Sequence, residues 1–315
     1  MDAKKTAELS DLNLDSTYLI AFEMAYGALR AGLACVSGLN VMQYHALVKV
    51  YFAGEHGLTQ TDIGVMLDLK PNVVTATVDA LEASGYAQRV RRSDGDGRIK
   101  AVLATPAGME HIAQVNSSVV EQLYTIFPTQ DDFFRSILEA SIAAGANIDP
   151  LPPESTDDRF QASRALLSIS LIRRTIEQIL RRLAQVSFYE YRALQRLCEV
   201  DTPLRIGDLA NQLRIPTPTI SRAVNQLVER EWVNRFTSPR DKKALFVAAT
   251  EAGARRQKLI AETIDSLAHS YLWKNLTPEQ RNAIAQAGHV VIAQLQEREQ
   301  AQRQAALDLL VPKDG

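Results

Sequence analysis
Cysteine is scarce in this chain: Cys35 and Cys198 are the only two in 315 residues. A disulfide scaffold is excluded, because such scaffolds use several bridges in place of a large core. Both are read as small core residues. Arg30 is the only basic residue close to Cys35 in sequence, too little to mark a reactive thiolate. Histidine is sparse as well, and His45, His56, His111, His269 and His289 are scattered. No His, Cys, Asp or Glu spacing resembles a zinc site, so neither a metal nor a cofactor is expected. A glycine-rich phosphate loop, a nucleophile elbow and an HExxH motif are all missing, and the chain is not read as an enzyme. Long apolar runs are missing too. Tyr18 to Phe22 is broken by Glu23, short of a membrane span, and no leader is read, so a cytoplasmic protein is expected.

A dominant charge is also lacking, since the net charge is only −2. The remaining composition, 46% hydrophobic and 23% charged, is that of ordinary globular domains, and 315 residues suffice for two. A long internal repeat agrees with that number. The stretch from Thr59 to Gly108 recurs from Arg205 to Gly253. Asp62 pairs with Asp208, Leu67 with Leu213, Val78 with Val224, Leu81 with Leu227 and Arg89 with Arg235, always 146 residues apart. From Asp96/Asp241 through Thr105/Thr250 to Gly108/Gly253 the offset is 145, so one residue slips in a turn, where indels cost little. A unit of this length, present twice, means tandem domains rather than a solenoid.

Each copy reads as helix, turn, helix and β-hairpin. Thr59 with Asp62 starts a helix in capping-box fashion. Lys70-Pro71 ends it and opens the next, and Thr217-Pro218 does so in the second copy. Val74, Val78 and Leu81 form an apolar stripe, as do Ile220, Val224 and Leu227. Gly85 stands at a helix C-cap position, where the second copy has Glu231, so that junction is expected to differ. Strand-like Tyr86–Arg92 and Ile99–Ala104 flank a turn, and Trp232–Thr237 and Ala244–Ala249 repeat this. Two helices joined by a short turn make a DNA-reading helix-turn-helix, and a basic hairpin behind it makes a wing.

With these motifs in this order, the chain resembles the MarR family of winged-helix transcription regulators. The residues that carry the resemblance are Asp94/Asp96/Arg98 followed by Leu103-Ala104-Thr105-Pro106-Ala107-Gly108. They recur as Pro239-Arg240-Asp241-Lys242 followed by Ala249-Thr250-Glu251-Ala252-Gly253. The helix start Leu276-Thr277-Pro278-Glu279-Gln280, echoed by Phe127-Pro128-Thr129-Gln130-Asp131, agrees. The expected fold is mainly α with small β-wings: two tandem winged helices with flanking long helices of the dimerisation type. The expected boundaries are a disordered 1–14, a first domain over 15–147, a Pro-rich linker over 148–156, a second domain over 157–310 and a tail over 311–315. Family members are usually homodimers. The resemblance therefore implies a covalent pseudo-dimer in one chain, or a homodimer of such chains, on an imperfectly palindromic operator.

Charge placement points to double-stranded DNA. Arg89 to Lys100 and Arg235 to Lys243 each carry +3, which leaves −8 on the rest of the chain. The first half offers DNA Lys70, Asn72, Thr75, Arg91, Arg92 and Arg98. The second offers Thr217, Thr219, Ser221, Arg222, Arg240, Lys242 and Lys243. Ala76 and Asp79 stand where the second copy has Arg222 and Asn225, so the second half is expected to bind more strongly. The family also binds small aromatic acids, and Tyr18, Phe22, Tyr26 and Arg30, with His45 nearby, offer an aromatic and guanidinium stripe for a small aromatic or carboxylate effector. The same stripe suits an interface with the other half. A repressor is the expected function. A protein-interaction module and a replication-initiator-like DNA-binding protein are the alternatives.

Overall fold
The computed structural model describes residues 14–91, 100–127, 129–151, 158–200, 202–237 and 245–310. The first half contains α1 (Ser16–Val36), α2 (Val41–Phe52), a 3₁₀ turn (Gly54–His56), β1 (Leu58–Thr59), α3 (Gln60–Leu67) and α4 (Pro71–Ala83). It continues with β2 (Ala87–Arg91), β3 (Lys100–Ala104), α5 (Pro106–Ile126) and α6 (Asp132–Gly145). The second half repeats the order: α7 (Gln161–Leu183), α8 (Phe188–Glu199), β4 (Leu204–Arg205), α9 (Ile206–Leu213), α10 (Thr217–Glu229), β5 (Val233–Thr237), β6 (Leu245–Ala249), α11 (Glu251–Leu267) and α12 (Pro278–Leu310). A π-helical turn over Ala268–Leu272 follows α11, which the sequence extends as one helix to Trp273.

Contacts divide the chain into two units that do not follow a single cut at the proline-rich stretch. The first unit comprises the described residues of Met24–Leu171, Asn275–Ala287 and Gln294–Gly315. The second comprises those of Met1–Glu23, Ile172–Lys274 and Gly288–Ala293. Helices α1, α7 and α12 therefore each pass from one unit into the other. By length and composition α1 reaches the range of a membrane span, because Glu23 interrupts its sequence without ending the helix. Leu19, Phe22, Ala28, Leu29 and Leu33 are all buried within protein.

The first unit buries Tyr44, Leu47, Ile63, Leu67, Val78, Leu81, Val102 and Ile112. The second buries Leu180, Tyr191, Leu194, Leu209, Leu213, Val224, Leu227 and Val247. Each such side chain contributes roughly 1.5–3 kcal/mol by leaving water. Sheet order is β1-β3-β2 in one unit and β4-β6-β5 in the other, antiparallel throughout. Arg89 faces Val102 in the first register and Arg235 faces Val247 in the second. The two-residue strands β1 and β4 went unread in the sequence, since two residues show no alternation.

The Thr-x-x-Gly motif locks each wing to the helix behind it. Thr105 Oγ1 accepts from Gly108 N at 3.0 Å and donates to Gly85 O at 2.7 Å. Thr250 Oγ1 accepts from Gly253 N at 3.0 Å and donates to Glu231 O at 2.9 Å. A Cβ on Gly108 would stand 2.1 Å from Tyr86 O, and one on Gly253 2.1 Å from Trp232 O. Only glycine admits that approach. The junction at Glu231 takes the same form as the one at Gly85. Gly85 has φ 73° and Glu231 φ 60°. Tyr86 N donates to Leu81 O and Trp232 N to Leu227 O, both at 3.0 Å, closing the same helix-ending turn. The left-handed conformation costs a non-glycine residue about 1 kcal/mol, which the packing around this junction outweighs.

Candidate nucleic-acid interface
In each unit the buried stripe of the second helix-turn-helix helix fixes which side chains point outward. On α4, Val74, Thr77, Val78 and Leu81 are buried, so Asn72, Ala76, Asp79 and Ala83 face solvent. On α10, Ile220, Ala223, Val224 and Leu227 are buried, and Pro218, Arg222, Asn225 and Glu229 face solvent. Thr59 caps α3 in a full capping box with Asp62. Pro71 sits in the first turn of α4, with Lys70 at the N-cap. Asp68 and Arg214, with φ 48° and 53°, make the left-handed turn between the two helices of each pair.

Lys70, Asn72 and Thr75 are exposed around the first turns of α4, and Arg91 is exposed at the end of β2. Thr217 and Arg222 are exposed on α10, with Thr219 and Ser221 half-buried beside them. These groups share one end of their respective helices, as an interface with a duplex needs. Arg92, Arg98, Arg240, Lys242 and Lys243 lie outside the described residues, with the wing-tip acids and Pro239.

The arginine at the base of each wing separates the two sites. Arg89 Nη2 pairs with Asp79 Oδ1 at 2.6 Å, and Arg89 Nη1 pairs with Glu82. Its backbone N also donates to Glu82 Oε1 at 2.7 Å. Burial opposes the charge on Arg89, but Asp79 and Glu82 outweigh it and raise the guanidinium pKa. In the second unit Arg235 is exposed and donates to Asn225, a neutral group. Glu82 has Val228 as its counterpart, so neither position supplies a carboxylate. The sequence reading paired Arg89 with Arg235 but did not anticipate the two-carboxylate clamp. The signal was present: Asp79 and Glu82 are three residues apart on one helix face.

The stripe Tyr18, Phe22, Tyr26 and Arg30 is not gathered within one unit. Tyr18 and Phe22 belong to the second unit, buried with ring centroids 6.2 Å apart, and burial raises the Tyr18 hydroxyl pKa. Tyr26, Arg30 and His45 belong to the first, with Arg30 exposed. A helix that passes between units divides its own i+4 stripe. His45 is buried beside a cavity of about 470 Å³ in the first unit, lined by Val48, Phe52, Leu58, Met66 and Leu167 with Lys49, Asp149 and Arg164. Asp149 pairs with Lys49 and lies 3.9 Å from His45 Nε2. Burial lowers the His45 pKa, and Lys49 adds to the effect against the pull of Asp149. Burial would raise Asp149, but His45 and Lys49 hold it at about 2. The spacer expected to begin at 148 therefore starts as packed chain: Ile148 is buried, and Ile148 O accepts from Asn275 at 3.3 Å.

The cysteines depart from the expected core role. Cys35 is exposed at the last turn of α1, at the edge of a shallow groove with Glu110 and Gln114. Cys198 is half-buried, and burial raises its thiol to about 11. Among the described residues no group of three or more His, Cys, Asp or Glu is placed to hold a metal ion.

Comparison with known proteins bears on both winged helices. One MarR family model matches residues 37–99 and another matches residues 190–245. The chain is similar to a MarR family transcriptional regulator from Streptomyces coelicolor, solved in complex with DNA. Identity there is 26%, over 47% of this chain and 93% of that one, with a TM-score of 0.40. It is also similar to the apo form of wild-type MarR from E. coli, at 20% identity over 46% of this chain and 93% of that one, TM-score 0.33. A third is MepR, a transcription regulator of the Staphylococcus aureus multidrug efflux pump MepA, at 16% over 44% and 90%, TM-score 0.31. Comparison with curated proteins finds no match. With a family match on each winged helix, the chain is a tandem of two MarR-like winged-helix domains.

Proposed function
We propose that this protein is a cytoplasmic, sequence-specific regulator of transcription that binds double-stranded DNA and acts as a repressor. Both winged helices are supplied by one chain, so the unit that meets an imperfectly palindromic operator is a covalent pseudo-dimer. One observation carries this reading. Each helix-turn-helix holds an outward helix face beside a wing strand that bears an exposed basic residue, Arg91 in one unit and Arg235 in the other. The family matches on both halves support it, and so does the passage of α1, α7 and α12 between units. Lys70, Arg91, Arg92, Arg98, Arg240, Lys242 and Lys243 are assigned to phosphates and the minor groove. Asn72, Thr75, Thr217, Thr219, Ser221 and Arg222 are assigned to the major groove. Release by a small aromatic or carboxylate effector belongs to the same reading. The cavity beside His45, apolar with Lys49 and Arg164 at its edge, supports it better than the divided stripe.

The test is selection of bound duplexes from a random pool, followed by salt titration of the best sequence. Enrichment of two half-sites about one helical turn apart is expected, with log K falling steeply against log salt. The bound protein should sediment as a single 34.9 kDa chain. Absence of enrichment at low salt would sink the DNA-binding reading, and binding only at twice that mass would sink the pseudo-dimer.

A further inference from the structure
The two outward helix faces have the same geometry and different hydrogen-bonding chemistry. Position for position, α4 presents Asn72, Ala76, Asp79 and Ala83 where α10 presents Pro218, Arg222, Asn225 and Glu229. Beside the first set stands Val73, 40% exposed, where the second has Thr219. We propose that the two helices read chemically different half-sites: α4 an A·T-rich one through Asn72, Val73 and Ala76, and α10 a guanine-containing one through Arg222. This deepens the DNA-binding reading above and rests on it.

Guanine shows two acceptors, O6 and N7, in the major groove and is best met by a forked donor. From Pro71 to Ala83 the first helix has no Arg, Lys or His, so no such donor reaches out from it. Asn72 carries one acceptor and one amide donor group, the complement of adenine N6 and N7. Ala76 and Val73 offer methyl surface, the complement of the thymine C5 methyl. Asp79 would suit the cytosine amine, but Arg89 already holds its Oδ1 at 2.6 Å. On α10, Arg222 is exposed on the outward ridge. An exposed guanidinium at that place discriminates for guanine by roughly 5- to 150-fold.

The experiment is selection from a randomised duplex pool with the full chain in three forms: wild type, Ala76→Arg and Arg222→Ala. All changes are at exposed positions, and an unchanged thermal midpoint verifies folding. The wild type should select one half-site of A·T pairs and one with guanine at the matching position. Ala76→Arg should bring guanine into the A·T half. Arg222→Ala should lower the guanine preference by roughly 5- to 150-fold and leave the A·T half as it was. Guanine at matching positions in both wild-type halves would overturn the proposal. So would a guanine preference that survives Arg222→Ala, or selection of the guanine half alone. If the wild type enriches nothing at low salt, the DNA-binding reading falls and the proposal with it, an outcome distinct from symmetric half-sites.

Discussion

The two winged helices are one scaffold carrying two electrostatic designs. Helix-ending turns, Thr-x-x-Gly locks and strand registers agree residue by residue, down to the 2.1 Å approach of a carbonyl to each glycine. The groups that would meet DNA do not agree. Arg89 is taken up by Asp79 and Glu82, whereas its counterpart Arg235 donates to the amide of Asn225. Beneath the wing, Tyr86 stacks on His111 with centroids 4.1 Å apart. The same place in the second unit holds Trp232 under the Arg230 and Arg256 guanidiniums. Backbone geometry is held tightly in both copies, because a carbonyl 2.1 Å from a would-be Cβ leaves no choice. Solvent-facing positions carry no such constraint, and there the copies have diverged.

The shared scaffold is most sensitive at its two glycine locks. Gly108→Ala and Gly253→Ala each drive a Cβ into a backbone carbonyl that belongs to the wing junction. Each should destabilise its own unit by about 3 kcal/mol or more, because backbone rather than a flexible side chain must move. Gly207→Ala, at a helical site with open space around the new methyl, should instead stabilise by roughly 0.5–1 kcal/mol. Denaturant unfolding followed by hydrogen exchange measures all three. A large loss at one lock and none at the other would break the equivalence of the two scaffolds.

Acid separates the units next. In the first, burial lowers the His45 pKa and Asp149 is held at about 2, while the position of His45 in the second holds Arg192, whose burial lowers it only to about 10. His45 has a lowered folded pKa, so it favours the native state when neutral, and that contribution fades below about pH 6.5. Asp149 has a depressed folded pKa. Its contribution is full above about pH 4 and is lost as pH falls through about 2. Asp149→Asn should therefore cost the first unit about 1–2 kcal/mol at neutral pH, after allowance for partial exposure. The cost should vanish towards pH 2 and leave the second unit unchanged. Amide exchange resolved by unit, from pH 7 to 2, measures this, and equal loss in both units would refute it.

The scaffold was legible in the sequence because its determinants are local. Val74, Val78 and Leu81 carry the helical period, Pro71 and Pro218 mark helix starts, and Thr105 and Thr250 stand three residues before glycines that a carbonyl approach demands. Glu231 misled, since a residue type other than glycine suggested another turn where packing imposed the same one. The division of the Tyr18 to Arg30 stripe was illegible for a different reason. The i+4 spacing reports a helix face, and it is silent on which unit each turn of a long helix joins. Asp149 gave no signal at all, lying 100 residues from the Lys49 with which it pairs. The Asp79–Glu82 clamp was readable in part, from two acids on one helix face opposite a strand arginine.

That clamp supplies the smallest and most direct test of the comparison. Asp79→Asn with Glu82→Val gives the first unit the residues of the second, Asn225 and Val228. Arg89 then loses both carboxylate partners and becomes available to a phosphate, as Arg235 is. One added phosphate contact should steepen the slope of log K against log salt by about 0.9 and raise affinity several-fold at low salt. The reverse pair, Asn225→Asp with Val228→Glu, should clamp Arg235 and make the slope shallower by about the same amount. The surface ion pairs exchanged are worth roughly 0.2–1 kcal/mol in stability, too little to unfold either unit. If both double variants leave the salt slope where it was, the wing-base arginines do not reach DNA in either unit. The asymmetry would then rest on Arg222 and the wing tips alone.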